Sequence, residues 1–353
     1  MAVNPKIETT IHEAKGVELG VAAGGIRYQG RDDLVLMRLA EGSVSACTFT
    51  LNRFRAAPVI IADRHLKVES PRFVLINAGN ANAGTGQTGL DRALESCAAV
   101  VESSDTPTAS VLPYSTGVIG QQLPMERMIP AIRAAKADLG QSDWSRAAKA
   151  IMTTDTVPKL FSRRLAMGDG EVTITGMSKG SGMICPNMAT MLAFIATDAT
   201  ISKPELEAVL AELVSVSFNA ITVDGDTSTN DACLLTATGQ SGVELSSDHP
   251  DWPAFKEALK EVFILLAQSI IRDGEGATKF ITVQVNGAET EADARAVAYT
   301  LAHSPLFKTA AFASDPNWGR ILAAVGRAPV DSLDIDRVSI SLNEVSLIEA
   351  GSP

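Results

Sequence analysis

Lys179-Gly180-Ser181-Gly182-Met183-Ile184-Cys185-Pro186-Asn187-Met188-Ala189-Thr190 runs directly into Met191-Leu192-Ala193-Phe194-Ile195-Ala196-Thr197. A basic, glycine-rich loop is thereby joined to a threonine at the head of an unbroken apolar run. A short apolar run that starts at a loop reads as a buried strand, so Thr190 stands at a strand entrance. A threonine hydroxyl is a poor nucleophile unless a base lies beside it, and one economical base is the residue's own α-amine, with an unperturbed pKa of about 7.7–8.0. Thr190 lies mid-chain and has no free amine. For it to serve as the nucleophile, the Ala189–Thr190 bond must first be cut. The stretch reads as a proenzyme that cuts itself, whereas an isolated Ala-Thr pair before a strand is ordinary structure.

Working outward, the rest of the chain mixes strand and helix patterns. Strands are expected at 34–37, 45–51, 73–76, 109–113, 172–177, 191–196, 234–238, 280–285 and 338–342. Helices are expected at 88–102, 125–139, 144–152, 203–218 and 251–273. Leu90, Leu94, Cys97 and Val101 are placed on one helical face, and Ser202 reads as the cap of the helix that follows it. The segment from Gly20 to Gly25 reads as a turn. This mixture makes the fold α/β or α+β; periodicity alone does not order the layers.

Composition narrows the function classes. A hydrophobic fraction of 46% over 353 residues supports a substantial core, and a formal net charge of −11 argues against nucleic acid or an anionic membrane as partner. Cys47, Cys97, Cys185 and Cys233 form no CxxC pair, and His12, His65, His249 and His303 are scattered, so no metal site is expected. Asp224-Gly225-Asp226 lacks the distal glutamate of a calcium loop and reads as a hydrogen-bonded structural loop. The N-terminus, with Lys6, Glu8, His12 and Glu13, has no signal-peptide core. The expectation is a cytoplasmic protein.

Further motifs accompany the opening stretch. They are Asn77 to Gly86 (NAGNANAGTG), Ser115 to Gly120 (STGVIG), Met152 to Thr156 (MTTDT), Val223 to Asp231 (VDGDTSTND), Arg272 to Lys279 (RDGEGATK) and Ser314 to Arg320 (SDPNWGR). In this order and over nearly the whole chain, they resemble the glutamate N-acetyltransferase, or ornithine acetyltransferase, family of arginine biosynthesis. The resemblance implies a layered sandwich of paired β-sheets flanked by helices, N-terminal-nucleophile-like. It implies processing into an N-terminal chain of residues 1–189 and a C-terminal chain of residues 190–353 that fold as one unit, assembled as two copies of each. Family members continue beyond the strand at 338–342, with an asparagine and a threonine or serine that contact substrate. The resemblance implies that this sequence, ending at Pro353, lacks that segment.

The same resemblance implies roles for individual residues. Thr190 is the nucleophile, and cleavage falls between Ala189 and Thr190. Thr116 and Gly117 form an oxyanion hole. Thr153, Lys179, Thr190 and Glu275 bind substrate, Lys179 taking a carboxylate and Glu275 an amino group. Locally these residues also read as a strand-ending turn, a helix-ending threonine, a loop lysine and a turn carboxylate. Asn317-Trp318-Gly319-Arg320 reads as packing. The implied reaction moves acetyl from N-acetylornithine to glutamate by a ping-pong route through acetyl-Thr190, releasing ornithine and N-acetylglutamate, with no cofactor. Acetyl-coenzyme A is carried over only as a further acetyl donor of some relatives. The alternatives are an N-terminal-nucleophile amidohydrolase or aminopeptidase, in which water accepts the acyl group, and an inactive structural homologue.

Overall fold

The computed structural model describes residues 2–168, 170–185 and 191–352. The chain divides into two compact units, Met1–Gly276 and Ala277–Pro353. In the first, the elements follow in the order β1 (Val17–Ala22), β2 (Leu34–Leu39), β3 (Val44–Phe49), α1 (Ala57–Val68), β4 (Phe73–Asn80), α2 (Gly86–Val100), β5 (Val111–Val118), α3 (Met125–Ala137) and α4 (Trp144–Ala150). They continue with β6 (Lys159–Met167), β7 (Gly170–Lys179), β8 (Leu192–Thr197), α5 (Lys203–Val216), β9 (Ala232–Ala237) and α6 (Trp252–Arg272).

Two sheets form, one ordered β1-β2-β4-β5 and the other β3-β9-β8-β7-β6. Successive side chains on a strand point to opposite faces, and this alternation assigns the layers. Val35, Met37, Val74, Ile76, Leu112 and Tyr114 of the first sheet share one cluster with Met177, Leu192, Phe194, Ala196 and Leu234 of the second. The Tyr114 and Phe194 rings meet edge to face at 5.1 Å across that interface. The alternate residues of the first sheet, Leu34, Leu36, Leu75 and Val111, pack with Cys97, Val100, Met128 and Ile132 of α2 and α3. Those of the second, Ile174, Ala193, Ile195, Cys233 and Leu235, pack with Leu206, Leu210, Leu259, Val262 and Phe263 of α5 and α6. The first unit is a helix–sheet–sheet–helix sandwich of class α/β. Both faces of each sheet are covered, which is why β8 and β9 read as continuous apolar runs.

Several local expectations are corrected. The Gly20–Gly25 segment is not all turn, because Gly20 lies in β1. A Cβ there would stand 2.0 Å from the Ala135 carbonyl oxygen, so the glycine marks close approach of α3 to the strand. Helix α1 was not anticipated; its cap position, Ala56, offers no capping side chain. On α2 the buried residues are Gly89, Ala93, Ser96, Cys97 and Val100, while Leu94 is exposed. Leu90, Cys97 and Val101 pack on the sheet as expected, beside Ala93 and Val100. As expected, the Ser202 hydroxyl accepts from the Glu205 N–H at the start of α5.

The second unit contains α7 (Glu291–Ala302), α8 (Pro305–Phe312), α9 (Trp318–Val325) and an antiparallel pair, β10 (Ile340–Leu342) with β11 (Val345–Ile348). Residues 280–285, expected as a strand, take no sheet structure; Val283 instead packs beside Leu301, Ile321 and Val325. Asn317 caps α9 by accepting from the Arg320 N–H at 3.1 Å. Trp318, expected to be packed, is 40% exposed: it shares a helical face with Ile321 and Val325 but stands a turn before them, outside their cluster. Among the described residues, no helix is long and apolar enough to cross a membrane.

Candidate active site

Strands β4 and β5 run parallel, and their register slips at Asn80. The regular register carries Gly79 opposite Gly117 just before the slip, at the end of the pair. Gly117 has φ +133°, and a Cβ there would stand 2.2 Å from the Gly79 carbonyl carbon. A side chain at 117 is therefore excluded both by conformation and by contact. Thr116 is buried beside it, whereas Gly117 itself is exposed.

The asparagine-rich motif braces this corner. Asn77 Nδ2 donates to the Asn80 carbonyl at 2.8 Å, and Ser115 Oγ donates to Asn77 Oδ1 at 2.6 Å. Asn230 Nδ2 donates to the carbonyls of Ala81 and Ser115 at 2.7 and 2.9 Å. Asn230 directly precedes Asp231 and β9, so these bonds fasten the corner of one sheet to a strand entrance of the other.

Lys179, the last residue of β7, is not a solvated loop lysine. It is 3% exposed and its Nζ donates to Thr116 Oγ1 at 3.1 Å. Its nearest carboxylate oxygen is Asp155 Oδ2, at 4.0 Å. Burial pulls the Lys179 pKa below the usual lysine value, opposed by Asp155. Asp155 was not singled out in the sequence, yet it organises the site. Its Oδ1 accepts from Lys159 Nζ and from the Gly180 N–H, both at 2.7 Å, and its Oδ2 accepts from the Thr153 N–H at 3.0 Å. Lys159 also donates to Asp273 Oδ2 at 2.8 Å, and that same oxygen accepts from the Thr156 N–H at 2.8 Å. Two lysines and two aspartates thus share one buried network. Burial alone raises the Asp155 pKa, but Lys179, Lys159 and the Gly180 N–H outweigh it and hold the carboxyl below the usual range.

Removing one member of a buried ion pair costs about 3–5 kcal/mol, because its partner keeps an uncompensated charge. Asp155→Ala is expected to lose stability on that scale in urea unfolding. The folded Asp155 pKa lies below the unfolded value of about 3.9. Its contribution is therefore present above about pH 4 and lost as pH falls through the folded pKa. Wild-type stability measured from pH 7 to pH 3 should fall more steeply with acid than that of Asp155→Ala; equal slopes would remove Asp155 as the source.

Thr153, Lys179 and Glu275 converge with Thr116. Thr153 reaches the cluster through Asp155. The Glu275 N–H donates to the Ser181 carbonyl at 2.8 Å, and the Glu275 carboxylate lies against Gly182. Ser181 Oγ and Thr154 Oγ1 are 2.6 Å apart. The glycine-rich loop is thus held between the 153–156 segment and Glu275. Asp224 staples the same loop from the other side: its Oδ2 accepts from the Met183 N–H at 2.6 Å, and its Oδ1 from the N–H groups of Ile184 and Asp226, both at 3.0 Å. This is the hydrogen-bonded loop expected of Asp224-Gly225-Asp226.

Ala189 and Thr190 lie outside the described residues. The adjoining Met191 N–H donates to Asp231 Oδ1 at 3.0 Å. Asp231 is fully buried, and its Oδ2 has no hydrogen-bond partner among the described residues. Burial pushes its carboxyl well above the usual range, opposed by the Met191 N–H. Asp231 and Asp155 were passed over although both sit in the motifs quoted above. Neither lies in a local pattern that signals burial: Met191 is 40 residues from Asp231, and Asp155, besides its near partners Thr153 and Lys159, binds Gly180 25 residues on.

The sequence model of the ArgJ family matches residues 18–353. The arginine biosynthesis bifunctional protein ArgJ of Pseudomonas fluorescens (strain Pf0-1) is 50% identical over 354 residues, covering 100% of this chain and 87% of that protein. The protein of the same name from Psychrobacter arcticus (strain DSM 17307 / VKM B-2377 / 273-4) is also 50% identical, covering 99% and 87%. The crystal structure of the Mycobacterium tuberculosis ornithine acetyltransferase complexed with ornithine is similar at 28% identity and a TM-score of 0.43, covering 49% of this chain and 92% of that chain. The chain belongs to the ArgJ family. It is an enzyme, an acyltransferase of arginine biosynthesis.

Proposed function

We infer that the protein transfers acetyl from N-acetylornithine to glutamate through an ester on Thr190. The observation that carries this reading is the convergence of Thr116, Gly117, Thr153, Lys179 and Glu275 around one end of the paired sheets, within an ArgJ family chain. Acyl transfer needs a nucleophile, donors for the developing oxyanion and charged groups that orient an amino-acid substrate.

In maturation, Thr190 Oγ attacks the Ala189 carbonyl and the acyl group moves from nitrogen to oxygen. Water then hydrolyses that ester, leaving an Ala189 carboxylate and a free Thr190 α-amine. In turnover the amine takes the hydroxyl proton as Oγ attacks the acetyl carbonyl. Thr116 and the Gly117 N–H stabilise the oxyanion, and the departing ornithine amine takes the proton from the Thr190 ammonium. Glutamate then attacks the acetyl ester by the reverse sequence. Thr153, Lys179 and Glu275 contact the substrate's polar ends. Transfer in this scheme requires no cofactor, since the acetyl group rides on the protein. A cytoplasmic assembly of two N-terminal and two C-terminal chains belongs to the same proposal. Strand β8 follows the cut and pairs with β7, which precedes it, a pairing that supports association of the two products.

N-acetylornithine alone is expected to add one acetyl group to the C-terminal chain and release ornithine. Glutamate added afterwards should remove that group as N-acetylglutamate, as read by intact mass and amino-acid chromatography. Free acetate as the sole product would instead identify a hydrolase. Acetyl-coenzyme A in place of N-acetylornithine tests whether a thioester loads the same residue.

A further inference from the structure

We propose that Lys179 is a positioning residue for the oxyanion hole, acting through the Thr116 hydroxyl during self-cleavage as well as during acetyl transfer. The proposal rests on the reading of Thr116 as an oxyanion donor and adds a role for Lys179 distinct from gripping a substrate carboxylate.

A lysine ammonium only donates, whereas a hydroxyl has one proton and two acceptor positions. The 3.1 Å contact between Lys179 Nζ and Thr116 Oγ1 therefore fixes the threonine oxygen as acceptor. The hydroxyl proton must then point away from the ammonium. Among the described residues, no acceptor is recorded for that proton, although Thr116 is only 4% exposed. A buried hydroxyl that is charged from behind and uncommitted in front is a pre-aimed donor. The ammonium also polarises the O–H bond, strengthening it toward an anion.

The surroundings hold the ammonium in this posture. Lys179 ends β7, so its backbone is fixed by pairing with Leu192 of β8. Asp155 stands 4.0 Å from Nζ and is itself locked by Lys159 and the Gly180 N–H. Asp231 and Glu275 are the other carboxylates whose charge reaches Lys179, and Lys159 is the other cation. A lysine built only to meet a substrate would be expected to leave its head group toward solvent, yet the Lys179 side chain is 4% exposed.

Self-cleavage separates the two roles, because it passes through an oxyanion with no amino-acid substrate bound. Lys179→Met is to be produced as the full chain, and its conversion to the 1–189 and 190–353 products followed by denaturing mass spectrometry. The expected result is cleavage slowed by roughly 10- to 100-fold, below the loss of about 10²–10³ for removing the donor itself. In Thr116→Val the further change Lys179→Met should have little additional effect, since the hydroxyl it acts through is gone. Lys179→Arg, which keeps the cation, should recover part of the rate. If Lys179→Met does not fold, Asp155→Asn/Lys179→Met keeps the buried charges balanced and carries the same expectation.

A folded Lys179→Met or double variant that cuts at the wild-type rate would overturn the proposal while leaving the acetyltransferase reading in place. Equal, additive losses from Lys179→Met in the wild-type and Thr116→Val backgrounds would overturn it as well. A folded wild-type chain that never cuts would overturn the underlying reading and this proposal together.

Discussion

Thr190→Ala is expected to leave the protein as a single chain of 353 residues, while the wild type resolves into fragments 1–189 and 190–353. Alanine has no hydroxyl to attack the preceding carbonyl, so the acyl shift has no first step. The same substitution should abolish acetyl loading, because no ester oxygen remains. Thr190→Ser should restore both reactions in part, since it keeps the hydroxyl and, after cleavage, the α-amine. The wild-type fragments should co-elute under native conditions. Strand β8 is the middle of the five-stranded sheet, between β7 from one side of the cut and β9 from the other. Pulling the fragments apart would strip β8 and β9 from β7 and expose Phe194, Ile195 and Leu235, now buried on the two faces of that sheet. Wild-type protein that folds and stays whole after prolonged incubation would sink the nucleophile assignment.

How much of this was legible depends on where each residue's partners lie. The buried run after Thr190 is local information, and it marked β8 correctly. So did the capping serine before α5 and the long amphipathic pattern of α6. Strand β6 was not legible, because Lys159, Arg163 and Arg164 break any apolar alternation. Lys159 is neutralised by Asp155 and Asp273, and Arg163 pairs with Glu8 at 2.9 Å and Glu261 at 2.5 Å. Three of those four carboxylates lie about 100 residues or more away, on other elements. A local reading sees the charges without their partners and assigns them to solvent. Residues 280–285 show the converse error: an alternating pattern announces strand character, but a strand also needs a neighbour to pair with.

The site divides the same way. The motifs brought Thr116, Thr153, Lys179 and Glu275 into one hypothesis, and the fold brings them together in space. What the motifs did not convey is that Lys179 lies beneath Thr116 rather than out in its loop. That arrangement comes from β7 ending alongside the corner where β5 ends, a meeting of two different sheets. The role of the asparagine motif was hidden for the same reason. Asn77 and Asn80 look like turn residues in isolation, and become braces only once β4 and β5 run parallel.

The second large effect is expected at that corner. Thr116→Ala should lower acetyl transfer by about 10²–10³-fold, the usual consequence of deleting one oxyanion donor and equivalent to about 2.7–4 kcal/mol of transition-state stabilisation. The loss should fall on kcat, with KM little changed, because the hydroxyl meets charge that develops only as the tetrahedral intermediate forms. Thr116→Ser keeps the hydroxyl and should retain most of the rate. The Gly117 N–H remains in Thr116→Ala and sets the residual activity, and self-cleavage should slow in parallel because it passes through an oxyanion of the same kind. A structural role predicts a different pattern. Thr116 is buried, so losing its methyl and hydroxyl costs stability by itself, and a variant failing for that reason alone would show a lowered unfolding midpoint with normal kcat per folded molecule. Urea titration alongside single-turnover acetyl loading separates the two. Loading at the wild-type rate in folded Thr116→Ala would remove the hydroxyl from the catalytic assignment and leave the Gly117 N–H as the donor to be tested.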